Sequence, residues 1–238
     1  MTRVVAYVTL ALLADGAAAL VGALLPESWL ARFRAALMGF ATGVLLGTTG
    51  FELLPAASAQ AGRGVVIGAV AASALAMGAI ELAVGRLQGR ASERTRVSWM
   101  LLGADAFHNT ADGAAIAAAF LMSTRLGCLT AAAVILHELP EELADYVLLR
   151  ASSVGRGRAL LALTAVQLTS AIGAALTLAA AGVWDQVSGV ALSVGAGTFL
   201  YISFVDFAPI LLRGDIRRVQ AVAGLLIGLV LTGAEVFL

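Results

Sequence analysis

Runs of roughly 20 mainly apolar residues recur along the chain, and a run of that length crosses a bilayer as a helix. Eight can be drawn, at about 4–25, 34–56, 64–85, 97–121, 126–149, 159–181, 188–212 and 218–237. Only 13% of the residues are charged, against about 25% for a soluble domain. Backbone in lipid must satisfy its own polar groups, which predicts helices throughout. The sequence therefore reads as an all-α membrane protein of eight transmembrane helices, a single domain over 1–238. Its longest linker, GRLQGRASERTRVS, leaves a short polar loop over 86–97. The N-terminal apolar run is longer than a signal-peptide core and reads as the first span. Cys128 is the only cysteine, so neither an internal disulfide nor a cysteine-type zinc site is available.

All 15 cations are arginine. Arg3, Arg63 and Arg125 fall on the side of the N-terminus, and the other 12 on the opposite side. By the positive-inside rule those 12 are cytoplasmic, which leaves both termini outside. The even span count agrees with that orientation. The expected location is the cell (inner) membrane, with the lipid bilayer as partner and no nucleic acid.

The acids do not follow the loops. Asp15, Glu52, Glu81, Asp105, Asp112, Glu138, Glu141, Glu142, Asp145, Asp206 and Glu235 lie within spans or at their ends, and no arginine lies deep in any span. An unpaired carboxylate costs several kcal/mol in lipid or takes up a proton. Water, a proton or a bound cation remains as partner, so the pattern points to a cation pathway. Asp15, Glu81 and Glu235 read as peripheral acids that reach the interface.

The chemistry concentrates in FHNTADGAAIAA, at 107–118, and LHELPEELADYVLL, at 136–149. His108 and Asp112 are four residues apart, Asn109 and Asp112 three, so they share a helix face that Asp105 extends. Gly113 keeps the neighbouring wall open. In the fifth span His137 and Glu141 are four apart, as are Glu138 and Glu142, and Asp145 continues the line. Pro140 kinks this helix and frees the carbonyl of Leu136. Imidazole with carboxylate and amide oxygen suits a borderline divalent metal. HELPE resembles half of a zincin motif, but position 141 is Glu where a protease needs a second His.

Two other stretches match each other. FELLP at 51–55 and VDFAP at 205–209 are both acid-x-x-Pro, each in the middle member of a terminal three-span group. Groups 1–3 and 6–8 then form an inverted repeat around spans 4 and 5. Gly39, Gly43 and Gly47 give span 2 a smooth face. It serves either packing within the chain, the favoured reading, or a homodimer interface.

HNTADG in span 4 and HELPEELAD in span 5 resemble the signatures of the ZIP (Zrt/Irt-like protein) family of divalent-metal transporters. GVLLGTTGFELLP and GTFLYISFVDFAP are similar to the family's second and seventh helices. The resemblance implies a transport site on spans 4 and 5. His108, Asn109 and Asp112 match the helix-4 ligands, and His137, Glu138 and Glu141 those of helix 5. Glu52 falls where members often carry His or another polar group and ranks next. Asp105, Glu142, Asp145 and Asp206 are expected along the pathway. Span 6 reads AVQLTSAIGAAL, with Gln167 and Ser170 where some members have a glutamate completing a second metal position. One principal ion with a weak auxiliary position is therefore expected. The loop before span 4 has no histidine cluster of the kind that relatives bear.

The expected function is transport of divalent transition metal, zinc first, with iron, manganese or cadmium as further candidates, toward the cytoplasm. The metal is substrate, no organic cofactor is implied, and the chain is not an enzyme. Two alternatives stand beside it. An intramembrane metal-dependent hydrolase would use the same ligand types but needs a catalytic water and a substrate opening. A proton- or sodium-coupled carrier would need buried acids but not the paired His–carboxylate faces.

Overall fold

The computed structural model describes residues 1–24, 27–87, 93–208 and 218–235 and is helical, with no strand among the described residues. The helices are α1 (Thr2–Leu24), α2 (Glu27–Thr48), α3 (Leu54–Ala61), α4 (Arg63–Leu87), α5 (Glu93–Met122), α6 (Thr124–Ala151), α7 (Arg156–Gln167), α8 (Thr169–Ala180), α9 (Val187–Tyr201) and α10 (Arg218–Glu235). Among the described residues, four helical stretches are both long and apolar enough to cross a membrane: Ala35–Ala61, Arg63–Ala83, Arg156–Ala180 and Val187–Val205. The helices α5 and α6, of 30 and 28 residues, have the length. Their sequences carry the ionisable residues that set the two stretches apart.

Two helices change pitch ahead of a proline. A π-turn, Thr49–Leu53, joins α2 to α3, and a second, Ile202–Phe207, follows α9. In the first, Leu54 N–H donates to the carbonyl of Thr49, and in the second Ala208 N–H donates to that of Ser203, both five residues back. Proline has no N–H with which to continue the four-residue ladder, and a wide turn is one way a helix absorbs that gap. Glu52 and Asp206 each sit in one of these turns, three residues before Pro55 and Pro209. The side chains of Asp206 and Pro140, and residue 209 itself, lie outside the described residues. Residues 88–92 of the expected 86–97 loop do so as well, while α4 continues to Leu87 and α5 begins at Glu93.

Close glycine packing sets the helix pairs. On α2, Gly39 and Gly43 lie against the backbone of Ala221 and Leu225, and Gly47 against Thr232, all on α10. The smooth face of α2 is thus used inside the chain. Gly113 on α5 faces the carbonyl of Ser170, and Gly173 on α8 returns the contact at Thr110. Small residues let helix backbones approach where lipid supplies no hydrophobic drive. The main core is correspondingly small-grained, with Ala115, Ala117, Ala118, Ala119, Ile116 and Ala196 buried around α5 and α9. This seam brings α7 and α8 alongside the polar stripe of α5.

The α7–α8 helix breaks at Leu168. The hydroxyl of Thr169 lies within hydrogen-bond distance of both the Val166 carbonyl, at 2.7 Å, and the Ala106 carbonyl of α5, at 2.9 Å. A side chain inserted at a carbonyl ladder is a standard cause of such a break. It leaves Gln167 and Ser170 on either side of the kink, both turned toward α5 and α6.

Candidate metal centre

Four side chains converge between α5 and α6. His108, Asp112, His137 and Glu138 are fully buried, and each offers a ligand atom within 4.8 Å of all the others. The two Nε2 atoms are 3.1 Å apart. Asp112 Oδ2 lies 3.4 Å from His108 Nε2 and 3.3 Å from His137 Nε2. Glu138 Oε1 lies 3.8 Å and 3.9 Å from the same two nitrogens. Donors at 2.0–2.1 Å from a tetrahedral ion stand roughly 3.4 Å apart, so these spacings are those of a ligand shell.

The donors are also in a suitable state. His137 Nδ1 is 2.9 Å from the carbonyl of Ala133, an acceptor, so Nδ1 carries the proton and Nε2 the lone pair. Neither oxygen of Asp112, nor Oε1 of Glu138, has a hydrogen-bond donor, although all are buried. A carboxylate oxygen left so in an apolar interior costs free energy that a cation removes. Phe199 of α9 closes one side, its ring centre 6.0 Å from that of His108 and 5.0 Å from that of His137, edge-on to both.

The surrounding residues divide into those that approach and those that orient. Glu141 Oε2 comes to 3.8 Å from His108 Nε2 on the margin of the group. Asn109 is turned the other way: its amide donates to Asp105 Oδ1 at 2.7 Å, and its oxygen accepts from Ser170 Oγ at 3.1 Å. In this geometry Asn109 positions Asp105 and does not join the four. Glu52 is buried in its π-turn outside that group, and Glu142, Asp145 and Asp105 are buried nearby on the same two helices.

Gln167 has a role that its sequence position did not reveal. Its side-chain amide donates to Glu138 Oε2 at 2.6 Å and to Glu142 Oε1 at 3.1 Å. Glu138 is thereby held with Oε1 toward the histidines. Partners of this kind typically govern metal affinity by 10–100-fold. Gln167→Leu is expected to weaken zinc binding by about that factor while the bound ion keeps its two nitrogen ligands. Isothermal titration in micelles, with X-ray absorption of the bound zinc, measures both; unchanged affinity would show that Gln167 is idle. The hint in the sequence was its place, where some members of the resembled family carry a glutamate. Phe199 gave no hint beyond its place in GTFLYISFVDFAP.

Asp15 corrects a sequence expectation. The sequence places it as a peripheral acid reaching the interface, but only 1% of it is exposed, and it interacts electrostatically with Asp112, His137 and Glu142. The cause is the packing of α1 against α6, which turns this face of α1 inward. Glu81, also read as peripheral, accepts a hydrogen bond from the Tyr201 hydroxyl at 2.8 Å.

Comparison with known proteins adds a further line. The ZIP zinc transporter family profile matches residues 85–234, which include all four converging side chains. Zinc transporter ZIP4 of Homo sapiens is 39% identical over 115 residues, 48% of this chain and 18% of that protein. Zinc transporter ZIP10 of Danio rerio is 34% identical over 119 residues, 50% of this chain and 14% of that protein. Zinc transporter ZIP6 of Pongo abelii is 33% identical over 119 residues, 50% of this chain and 16% of that protein. The chain thus spans under a fifth of these relatives' length. The family consists of transporters, not enzymes. With the profile covering well over half of its length, the chain belongs to the ZIP zinc transporter family.

Proposed function

We propose that the chain carries divalent transition metal ions, zinc foremost and iron, manganese or cadmium among its candidates, across the cell membrane toward the cytoplasm. The observation that carries this reading is the convergence of His108, Asp112, His137 and Glu138 on one buried point with unpartnered oxygens. The names of the relatives support zinc. Asn109, Glu141 and Glu52 belong to the wider ligand set on this reading, and Asp105, Glu142, Asp145 and Asp206 to the path. The whole of 1–238 acts as one eight-span transporter domain with both termini outside and the arginine-rich loops, including 86–97, in the cytoplasm. Terminal groups 1–3 and 6–8 form an inverted repeat, a reading supported by the two π-turns at matching acid-x-x-Pro positions. The hydrolase alternative is not favoured, since the family consists of transporters.

In mechanism, an ion arriving from outside exchanges water for the two imidazoles and two carboxylates, then leaves toward the arginine-rich side. A divalent ion crossing 100 mV, negative inside, gains about 4.6 kcal/mol, twice the single-charge figure. A chain of carboxylates beyond the histidines lets it leave in steps rather than in one costly dissociation.

The test is zinc influx into proteoliposomes loaded with a zinc-sensitive dye. Saturable influx is expected, and it should fail at low pH, because protons compete with the metal for imidazole and carboxylate donors alike. Metal bound at the site without flux, from folded and inserted protein, would overturn the transport reading.

A further inference from the structure

Far from the histidines, the face of α10 that follows Arg218 borders a recess. Both α10 and the second π-turn pack on α2, and between them lies a groove of about 380 Å³. Leu46 of α2, Ser203 and Phe204 of the π-turn, and Arg218, Val222 and Leu225 of α10 are among its lining residues. Positions 218, 222 and 225 share one face of a helix. The groove therefore runs along α10, from a cation at its mouth to a leucine about 10 Å deeper.

The membrane setting decides what can lie there. Arg218 begins the last of the eight spans read from the sequence, and the residues after it are apolar. An exposed arginine at a span end reaches the headgroup level. RGDIRR at 213–218 carries three arginines against one aspartate, so the charge at this end is positive. Phe204 and Val222 are 62% and 55% exposed, which opens the groove to lipid on its outer side. On the wall, Ser203 is 1% exposed, and its hydroxyl has no hydrogen-bond partner among the described residues. A buried donor left so gains from an incoming carbonyl oxygen.

We infer that this groove binds one anionic phospholipid, its phosphate at Arg218 and one acyl chain along Val222, Leu225 and Phe204. Arginine meets phosphate with two parallel hydrogen bonds, and basic recesses between membrane helices take anionic headgroups. The ester carbonyl below the phosphate is the acceptor that suits Ser203. A free phosphate would use the cation and leave the apolar wall bare. A hydrocarbon chain alone would leave Arg218 unanswered. The bound lipid bridges α10 and the π-turn that carries Asp206, bracing that turn against α2. On the proposed orientation it belongs to the cytoplasmic leaflet, but its binding does not depend on the transport reading.

The test is native mass spectrometry of the full chain released from micelles, with phosphatidylglycerol and phosphatidylcholine of identical chains in competition. One retained phosphatidylglycerol per chain is expected. It should be favoured about fivefold, the preference that one arginine adds near a lipid surface. Arg218→Gln should remove that preference. Arg156→Gln, at an exposed arginine of α7 outside the groove, should keep it. Val222→Trp fills the groove while leaving Arg218 in place, and should weaken retention all the same. Should it fold poorly, Val222→Phe replaces it with the same expectation. Glycerol phosphate, a head without chains, should not compete. Equal retention of the two lipids, retention indifferent to Arg218→Gln or to filling the groove, an equal loss in Arg156→Gln, or displacement by glycerol phosphate overturns the inference.

Discussion

Replacing Asp112 and His137 together with alanine is expected to abolish saturable zinc influx. The pair removes two of four converging donors, including the one imidazole whose tautomer is set by a backbone carbonyl. Of the four, only His108 and Glu138 would remain to hold a desolvated divalent ion, and the sequence has no third histidine to replace His137. Even groups that merely orient a ligand are worth 10–100-fold, so losing two ligands should cost more than about a hundredfold. Removing Asp112 relieves two buried oxygens without hydrogen bonds, whereas removing the buried His137 ring leaves a cavity, so some loss of stability is expected and correct folding and insertion are the control. Influx by proteoliposomes and the melting temperature in micelles are the two readouts. Undiminished zinc flux from the double variant would move the transport site off α5 and α6. His137→Ala alone makes a further distinction, since a proton-coupled solute carrier would retain its coupling.

The second large effect is expected from a single methyl group. In Gly113→Ala the new Cβ would fall on the carbonyl oxygen of Ser170, a backbone atom that no rotamer change can move. Helix propensity favours alanine by up to about 1 kcal/mol, but overpacking at a rigid contact costs up to about 3 kcal/mol or more. The clash therefore decides the sign. Separation of α5 from α8 would also pull Ser170 from Asn109 and Gln167 from Glu138, so metal binding should fall with stability. The control is Gly68→Ala, where nothing lies within 4 Å of the added atom. Thermal unfolding in micelles should show a clear loss for Gly113→Ala and none for Gly68→Ala. A Gly113→Ala variant as stable as wild type would mean that the α5–α8 seam is looser than described.

What could be read from the sequence was what depends on residues close along the chain. His108 and Asp112 share a face because they are four apart on one helix, and that holds whatever packs around them. The smooth face of Gly39, Gly43 and Gly47 was visible from their spacing, while whether it packs within the chain or against a second copy was settled only by its contacts with Ala221, Leu225 and Thr232. Longer-range relations were hidden. Asp15 has no neighbour in sequence that says which way α1 will face, so its burial beside the site depends on the packing of α1 against α6. Asn109 lies on the same stripe as Asp112, yet Ser170, 61 residues away, captures its oxygen. Gln167 was noticed only as the place where an acid was absent. Its two hydrogen bonds, to residues 29 and 25 positions distant, could come only from the fold. The two acid-x-x-Pro matches were visible as a pair, but the wide helical turn that each produces was not.

The ring of Phe199 has a consequence for which ions can compete. It lies edge-on to both imidazoles and gives an arriving ion no oxygen or nitrogen on that side. Water shed there is not replaced. Mg²⁺, which dehydrates reluctantly and asks for six oxygens in near-octahedral order, would face this hydrocarbon wall with its hydration largely intact. Zn²⁺ accepts four ligands and is content with nitrogen among them. On the proposed inward transport, Mg²⁺ outside the cell would thus be held back by its reluctance to shed water rather than by its charge or size.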